Sequence, residues 1–327
     1  MNGASRMSRI QLMCASLLPA LLLLAGLVQW APLRAQTPAP VPTQQPVVLF
    51  DEGHFNNHTI QGSYRQFAEL LRKGGYRVIA HTGALRPNSL EQVQVLVVVS
   101  ALSAQGNSAE RETLPWRWTP EAATPAFTDN ECGTVAHWVS EGGGLLLIVD
   151  HPPYPAAARS LAQRFGVDMK NASTLDPTPG NYFQTPSTLV FSRANGLLGD
   201  HAITRGEDPS RRISAIMTFA GSSLTGPPAS TALLTLSEAA YDQFFESAGA
   251  PAQRTSARGR AQGVALPFHR GRIVVLGEAA VFRTEILEQL VEPSLEPSPA
   301  ELSAHGQFGN HRLALNVVDW LSRRLSP

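Results

Sequence analysis

Two short stretches of the chain concentrate side chains that do chemistry. Asp51-Glu52-Gly53-His54 is followed at once by Asn56, Asn57 and His58, and Asp150-His151-Pro152-Pro153-Tyr154 again sets a carboxylate beside an imidazole. Glu278, directly after Gly277, is a third acidic group in a comparable setting. Carboxylates and neutral imidazoles bind borderline or hard divalent cations, and an Asp–His pair also serves as a general base. On residue type alone the candidate catalytic groups are Asp51, His54, Asp150, His151 and Glu278, and the candidate metal ligands are His54, His58, Asp150 and His151. A divalent metal ion is the cofactor such a set would suit, and the sequence points to no other. The same residue types have a plainer use. Asp, Asn and His after a strand fix turns and cap the next helix through side-chain-to-backbone hydrogen bonds. His201, within Asp200-His201-Ala202-Ile203-Thr204-Arg205-Gly206, reads as a loop-fixing residue of this kind. His81 and His137 read as surface or packing residues, and Arg254, Arg258 and Arg260 as a solvated basic loop.

These groups matter together only if the fold gathers them. Val47 to Phe50 is a continuous apolar run suited to a strand buried on both faces, and Ser63 to Lys73 carries Tyr64, Phe67 and Leu71 on one helical face. Gly74-Gly75 ends that helix, Tyr76 to Ala80 resumes a strand, and Val93 to Val99 is a third. A second helix has Asp129 near its N-cap and places Cys132, Val135, Ala136 and Val139 on one stripe, ending at Glu141 and three glycines. Leu145 to Val149 is a fourth strand, and Ala158, Leu161, Ala162 and Phe165 recur at helical spacing up to Gly166. Strands alternating with helices imply parallel pairing through right-handed crossovers, hence an α/β fold with an open, doubly wound sheet. Ligands of such sheets gather beyond the carboxyl ends of the strands. Both Asp–His stretches leave a strand at that end. If the three strand ends share one rim, Asp51, His54, Asp150, His151 and Glu278 are neighbours.

After Gly166 the pattern weakens. Ile213 to Phe219 and Thr231 to Leu236 read as strands, Val264 to Phe268 and Ile273 to Leu276 as a hairpin bending at Arg270-Gly271, and Leu313, Val317, Trp320 and Leu321 as one face of a C-terminal helix. Stretches near 101–127, 167–206 and 237–263 read as insertions decorating a single domain over 47–327. Ahead of it, Arg6 and Arg9 precede an apolar run from Leu12 to Val28, and Leu33-Arg34-Ala35 leads into Gln36. This pattern predicts a signal peptide over 1–35, a disordered Pro/Thr/Gln linker over 36–46, and a periplasmic or secreted protein with no membrane association after cleavage. Cys14 lies ahead of most of the apolar run, where a lipoprotein cleavage site would not be.

Composition narrows the partners. Of 327 residues 43% are hydrophobic, enough for a substantial core, and 26 basic side chains balance 26 acidic ones, which removes the electrostatic basis for nucleic-acid binding. Signal cleavage would leave 23 basic against 26 acidic groups and Cys132 as the one cysteine, so no internal disulfide is expected. There is no Gly-x-Ser-x-Gly elbow, no phosphate-binding Gly-rich loop with Lys and Ser/Thr, no Gly-x-Gly-x-x-Gly and no His-Glu-x-x-His. The oligomeric state is left open.

Five segments, in order, carry a family resemblance. They are Val48-Leu49-Phe50-Asp51-Glu52-Gly53-His54, Leu145 to Pro152, His201 to Gly206, Gly277-Glu278-Ala279-Ala280 and Asn310 to Leu321. Together they resemble exported bacterial proteins of the class I glutamine-amidotransferase-like superfamily, which includes the trehalose-utilisation-like proteins and a domain family of unknown function. The resemblance implies a flavodoxin-like sheet with helices on both faces. It also implies that Asp150-His151-Pro152 occupies the place of the nucleophilic cysteine elbow of true amidotransferases, so thiolate attack on glutamine is not expected. Some such relatives occur beside carbohydrate-degrading modules. Three readings follow: binding of a small polar, carbohydrate-like ligand, metal-assisted hydrolysis by the Asp/His cluster, or an envelope scaffold.

Overall fold

The apolar runs pair side by side at the centre of the molecule. In the computed structural model, which describes residues 45–103, 124–244, 252–289 and 308–326, the strands β1 (Val47–Asp51), β2 (Arg77–His81), β3 (Val93–Val99) and β4 (Gly144–Ile148) lie in the order β2-β1-β3-β4, all parallel. Segment 1–35, with Cys14 and the apolar run, lies outside the described residues, as do most of the 36–46 linker and parts of the 101–127 and 237–263 insertions. Among the described residues no helix is long and apolar enough to cross a membrane.

Beyond β4 comes the last strand of the chain, β14 (Gly271–Leu276), also parallel, and then its hairpin partner β13 (Ala261–Phe268), antiparallel. Two short strands, β5 (Asp168–Met169) and β9 (Leu224–Thr225), and β10 (Thr231–Thr235) complete a sheet of nine strands among the described residues. The turn of the hairpin is His269-Arg270, one residue earlier than the sequence implied, with His269 at φ +50°. The insertions supply small sheets of their own. β6 (Ser173–Leu175), β11 (Tyr241–Phe244) and β12 (Gln253–Ser256) form one, and β7 (Val190–Ser192) pairs with β8 (Ala215–Met217).

Helices cover both faces, as the continuous apolar strands demand. On face one, α1 (Arg65–Lys73) and α6 (Asn310–Leu321) bring Phe67, Leu71, Leu313 and Val317 against Val48, Phe50, Val97, Leu146, Ile148 and Leu276. On face two, α2 (Asp129–Ser140) and α3 (Tyr154–Gln163) bring Cys132, Val135, Val139 and Leu161 against Leu49, Leu96, Val98, Leu147 and Val275. Each such side chain removes apolar surface from water at about 1.5–3 kcal/mol. Helix α2 starts from Thr128, whose hydroxyl accepts from the Glu131 N–H, so Thr128 rather than Asp129 is the N-cap. Two short helices, α4 (Ala202–Arg205) and α5 (Thr284–Gln289), flank face one.

Two glycines predict opposite outcomes. Gly133 lies inside α2 with nothing within 4 Å of a built Cβ, so Gly133→Ala should stabilise by about 0.5–1 kcal/mol. At Gly277 a Cβ would fall 2.0 Å from the Ser222 carbonyl oxygen, so Gly277→Ala should destabilise by about 1–3 kcal/mol. Denaturant midpoints of the two variants check both signs.

Candidate functional site

Side chains alternate between the faces of a strand, and that alternation sorts the acidic groups at the carboxyl edge. Asp51 stands two residues after Leu49, whose side chain packs on face two. Asp150 stands two residues after Ile148, and Glu278 two residues after Leu276, both on face one. Because Ile148 and Leu276 are register partners in neighbouring parallel strands, Asp150 and Glu278 leave the sheet side by side. The expected common rim of Asp51, His54, Asp150, His151 and Glu278 therefore divides into two sets.

The face-two set is closed. His54 Nδ1 lies 2.8 Å from Asp51 Oδ1 and its Nε2 lies 3.0 Å from Glu131 Oε1, so both ring nitrogens face carboxylates. Burial alone would lower the His54 pKa, but the hydrogen bonds and charges of Asp51 and Glu131 outweigh it and raise the value. Glu131 is buried as well, yet its pKa falls to about 2, because the Thr128 hydroxyl and backbone N–H, the Leu85 N–H and His54 all donate to it. Asn56 donates from Nδ2 to Asp51 Oδ2 and to the Val99 carbonyl, and the Phe127 ring covers His54 at 4.4 Å between centroids. This network ties the loop after β1 to the start of α2. Its polar atoms are spent on one another. Sequence reasoning missed Glu131, although Thr128-x-x-Glu131 is a capping-box signature.

The face-one set is strained electrostatically and partly open. Glu278 is fully buried, its two carboxylate oxygens accepting from the Ala280 N–H at 2.6 Å and the Val281 N–H at 2.9 Å. Burial, then the neighbouring Asp150 charge, raises its pKa well above the usual carboxylate range. Asp150 is also raised by burial, against the pull of His151 and Arg283, but it retains part of its surface in solvent. The His151 backbone N–H donates to Asp150 Oδ1 at 2.7 Å. His151 Nδ1 lies 2.8 Å from the Pro152 carbonyl, which can only accept, so Nδ1 carries a hydrogen. Tyr64, donating to the Ala279 carbonyl, and His58, 2.6 Å from Ser63 Oγ, close the inner side with their rings 5.0 Å apart. His58 is buried beside Arg283 and His151, and its pKa drops to about 3. Tyr64 and Arg283 come from segments that carry no motif, and no local signal marks either one.

The metal expectation needs correction. Among the described residues no group of three His, Cys, Asp or Glu side chains is placed to hold a metal ion. His54 has both nitrogens committed to carboxylates, and it belongs to the opposite face from Asp150. His201 is the loop-fixing residue the sequence implied, its Nδ1 accepting from the Ile203 N–H at the start of α4. Of the basic loop, Arg260 is tied to Asp168 and Ser223 instead of being solvated. Cys132 is a buried free thiol on α2, its pKa raised by burial.

No protein-family model matches the sequence, and no curated protein matches it. Among solved structures the chain is similar to the mmIFT52 N-terminal domain, with a TM-score of 0.54 and 14% identity over 84% of this chain and 97% of that one. The likeness is one of fold. A ThuA-like protein from Bacteroides uniformis also matches, at TM-score 0.42 and 13% identity over 87% of this chain and 94% of that one. So does a GMP synthase-like protein from Thermoplasma acidophilum, at TM-score 0.38 and 13% identity over 84% and 95%. The chain has a flavodoxin-like α/β fold, with the strand order β2-β1-β3-β4 of that architecture.

The two sets predict separate responses. His54→Ala would leave Asp51 and Glu131 facing each other in the interior and should cost about 3–5 kcal/mol in denaturant unfolding. His58 has a folded-state pKa below its ordinary 6.5, so the native state binds fewer protons than the unfolded chain. Its contribution is complete above pH 6.5 and is lost as pH falls toward 3. Between pH 7 and pH 4 the wild type should therefore lose about 2–3 kcal/mol more than His58→Gln. Equal losses would show that His58 is not held neutral.

Proposed function

We propose that this protein is exported and binds a small polar, carbohydrate-like ligand at the carboxyl edge of β4 and β14. The observation that carries the reading is the Asp150–Glu278 carboxyl pair. Two carboxyl groups leaving adjacent strands on one face hold a proton more tightly than either would alone. Glu278 is sealed and its oxygens are occupied, so Asp150 is the member that meets a solute. With the pair's proton on the sealed Glu278, the partly exposed Asp150 carboxylate accepts hydrogen bonds from a solute. Neighbouring hydroxyls donate to such an acceptor, and a polyol offers several.

Phe55 supports the carbohydrate class. Among the described residues it is the one large hydrophobic side chain left exposed, at 47%. It belongs to the same carboxyl edge, with a backbone φ of +45° that an aromatic residue seldom adopts. Hydrogen bonds on either side hold it there, the His54 carbonyl accepting from Leu102 and the Asn57 N–H donating to Ser100. An exposed aromatic ring at the carboxyl edge fits the apolar face of a sugar. The resemblance to trehalose-utilisation-like proteins agrees with that class, and the leader-like segment supports export.

Calorimetric titration against neutral sugars and sugar acids tests the reading. Binding of at least one is expected, with Asp150→Asn weakening it tenfold or more and Phe55→Ala several-fold. Because the ionised Asp150 is the acceptor and its pKa is raised, affinity should fall as pH drops into the acid range. The absence of heat with every sugar, or full affinity in Asp150→Asn, would overturn it.

A further inference from the structure

The run of three glycines after α2 has no part in the site above, and it borders a cleft at the opposite, amino edge of the sheet. This cleft has a volume of about 850 Å³, in the range of small-molecule sites. It lies between the start of β3, the hairpin turn at His269-Arg270 and the end of α6. We propose that it is a second binding site, taking an organic anion with a flat apolar body.

The glycines shape it. The Trp138 indole lies across Gly143 so closely that a Cβ there would stand 2.5 Å from the ring. Next to it, Gly142 has φ +122°, and a Cβ on it would lie 4.0 Å from the Arg323 guanidinium. Gly144 is pressed on the backbone of Leu321, with a Cβ 2.7 Å from that carbonyl oxygen. An indole and a guanidinium thus flank a strip of bare main chain. A planar ring has the half-buried Trp138 to pack on, and an acidic group has Arg323 within reach.

Charge in the cleft favours an anion. Glu141 is occupied by an ion pair with Arg270. Arg323 is exposed and makes no ion pair among the described residues, and its described electrostatic neighbour is Arg272, a like charge. Nor is Arg323 needed to complement the end of α6. Arg272 already donates to the Trp320 and Leu325 carbonyls there. Arg324 turns away to the Gly74 and Gly75 carbonyls. Three lining residues, Gln92, His269 and Arg323, are non-glycine residues with left-handed φ of 59°, 50° and 66°. Such conformations recur around ligand sites, where neighbouring structure holds them in place.

The probe is 1-anilinonaphthalene-8-sulfonate, a flat apolar anion, titrated into the purified protein by fluorescence. Saturable one-site binding is expected, weakened at least tenfold in Arg323→Glu and also weakened in Trp138→Leu, and unchanged in Asp150→Asn. Arg323 is exposed, so its charge reversal leaves the fold intact even if loss of Trp138 does not. Non-saturable binding by the wild type, or wild-type affinity in Arg323→Glu, would overturn the proposal. Loss of binding in Asp150→Asn would overturn it too, by assigning the probe to the carboxyl edge.

Discussion

Successive residues of a strand point to opposite faces of its sheet, and every polar arrangement at the carboxyl edge descends from this period of two. Each central strand of this protein is apolar on both faces, so the acidic residue that follows it inherits a face from its position in the count. Asp51 falls in phase with Leu49 on the side of α2, while Asp150 and Glu278 fall in phase with Ile148 and Leu276 on the side of α1. An insertion of one residue after any of these strands would move its carboxylate to the other helix layer.

The two layers then treat their carboxylates differently. On face two, Glu131 sits in the first turn of a helix, where backbone N–H groups and a hydroxyl point at it, and the intervening imidazole carries the compensating charge. Burial is compatible with ionisation there, because each charge has donors or a counter-charge at hydrogen-bond distance. On face one the charge of Asp150 acts on Glu278, and the positive charge of Arg283 reaches Asp150 and His58 together. Burial there works against full ionisation. One set consequently fastens the loop after β1, and the other keeps its proton on the sealed carboxyl of Glu278.

Much of this fold is legible in the sequence. β1, β3, β4 and the β13–β14 hairpin are continuous apolar runs, and α1, α2, α3 and α6 carry apolar stripes at helical spacing. The short strands β5, β6, β7 and β9 are not legible, because two or three residues hold too few positions for a period to emerge and their pairing comes from distant segments. The site is half legible. Residue types found Asp150, His151 and Glu278, but grouping them with Asp51 and His54 treated the sheet edge as a line when it has two sides. Counting from Leu49 and Ile148 separates them without coordinates. Arg283 and Tyr64 join through tertiary packing alone, so nothing local announces them.

Within the face-one pair, burial decides where the shared proton resides. Glu278 is sealed from solvent and feels the charge of Asp150, and these outweigh the Ala280 and Val281 N–H groups that point at its two oxygens. Asp150 keeps part of its surface in solvent, receives the His151 N–H on Oδ1 and has the positive charge of Arg283 to offset its own. The proton therefore stays on the buried member and leaves the partly exposed one as the acceptor. A buried residue that touches no solute thereby sets the hydrogen-bonding character of the residue that does.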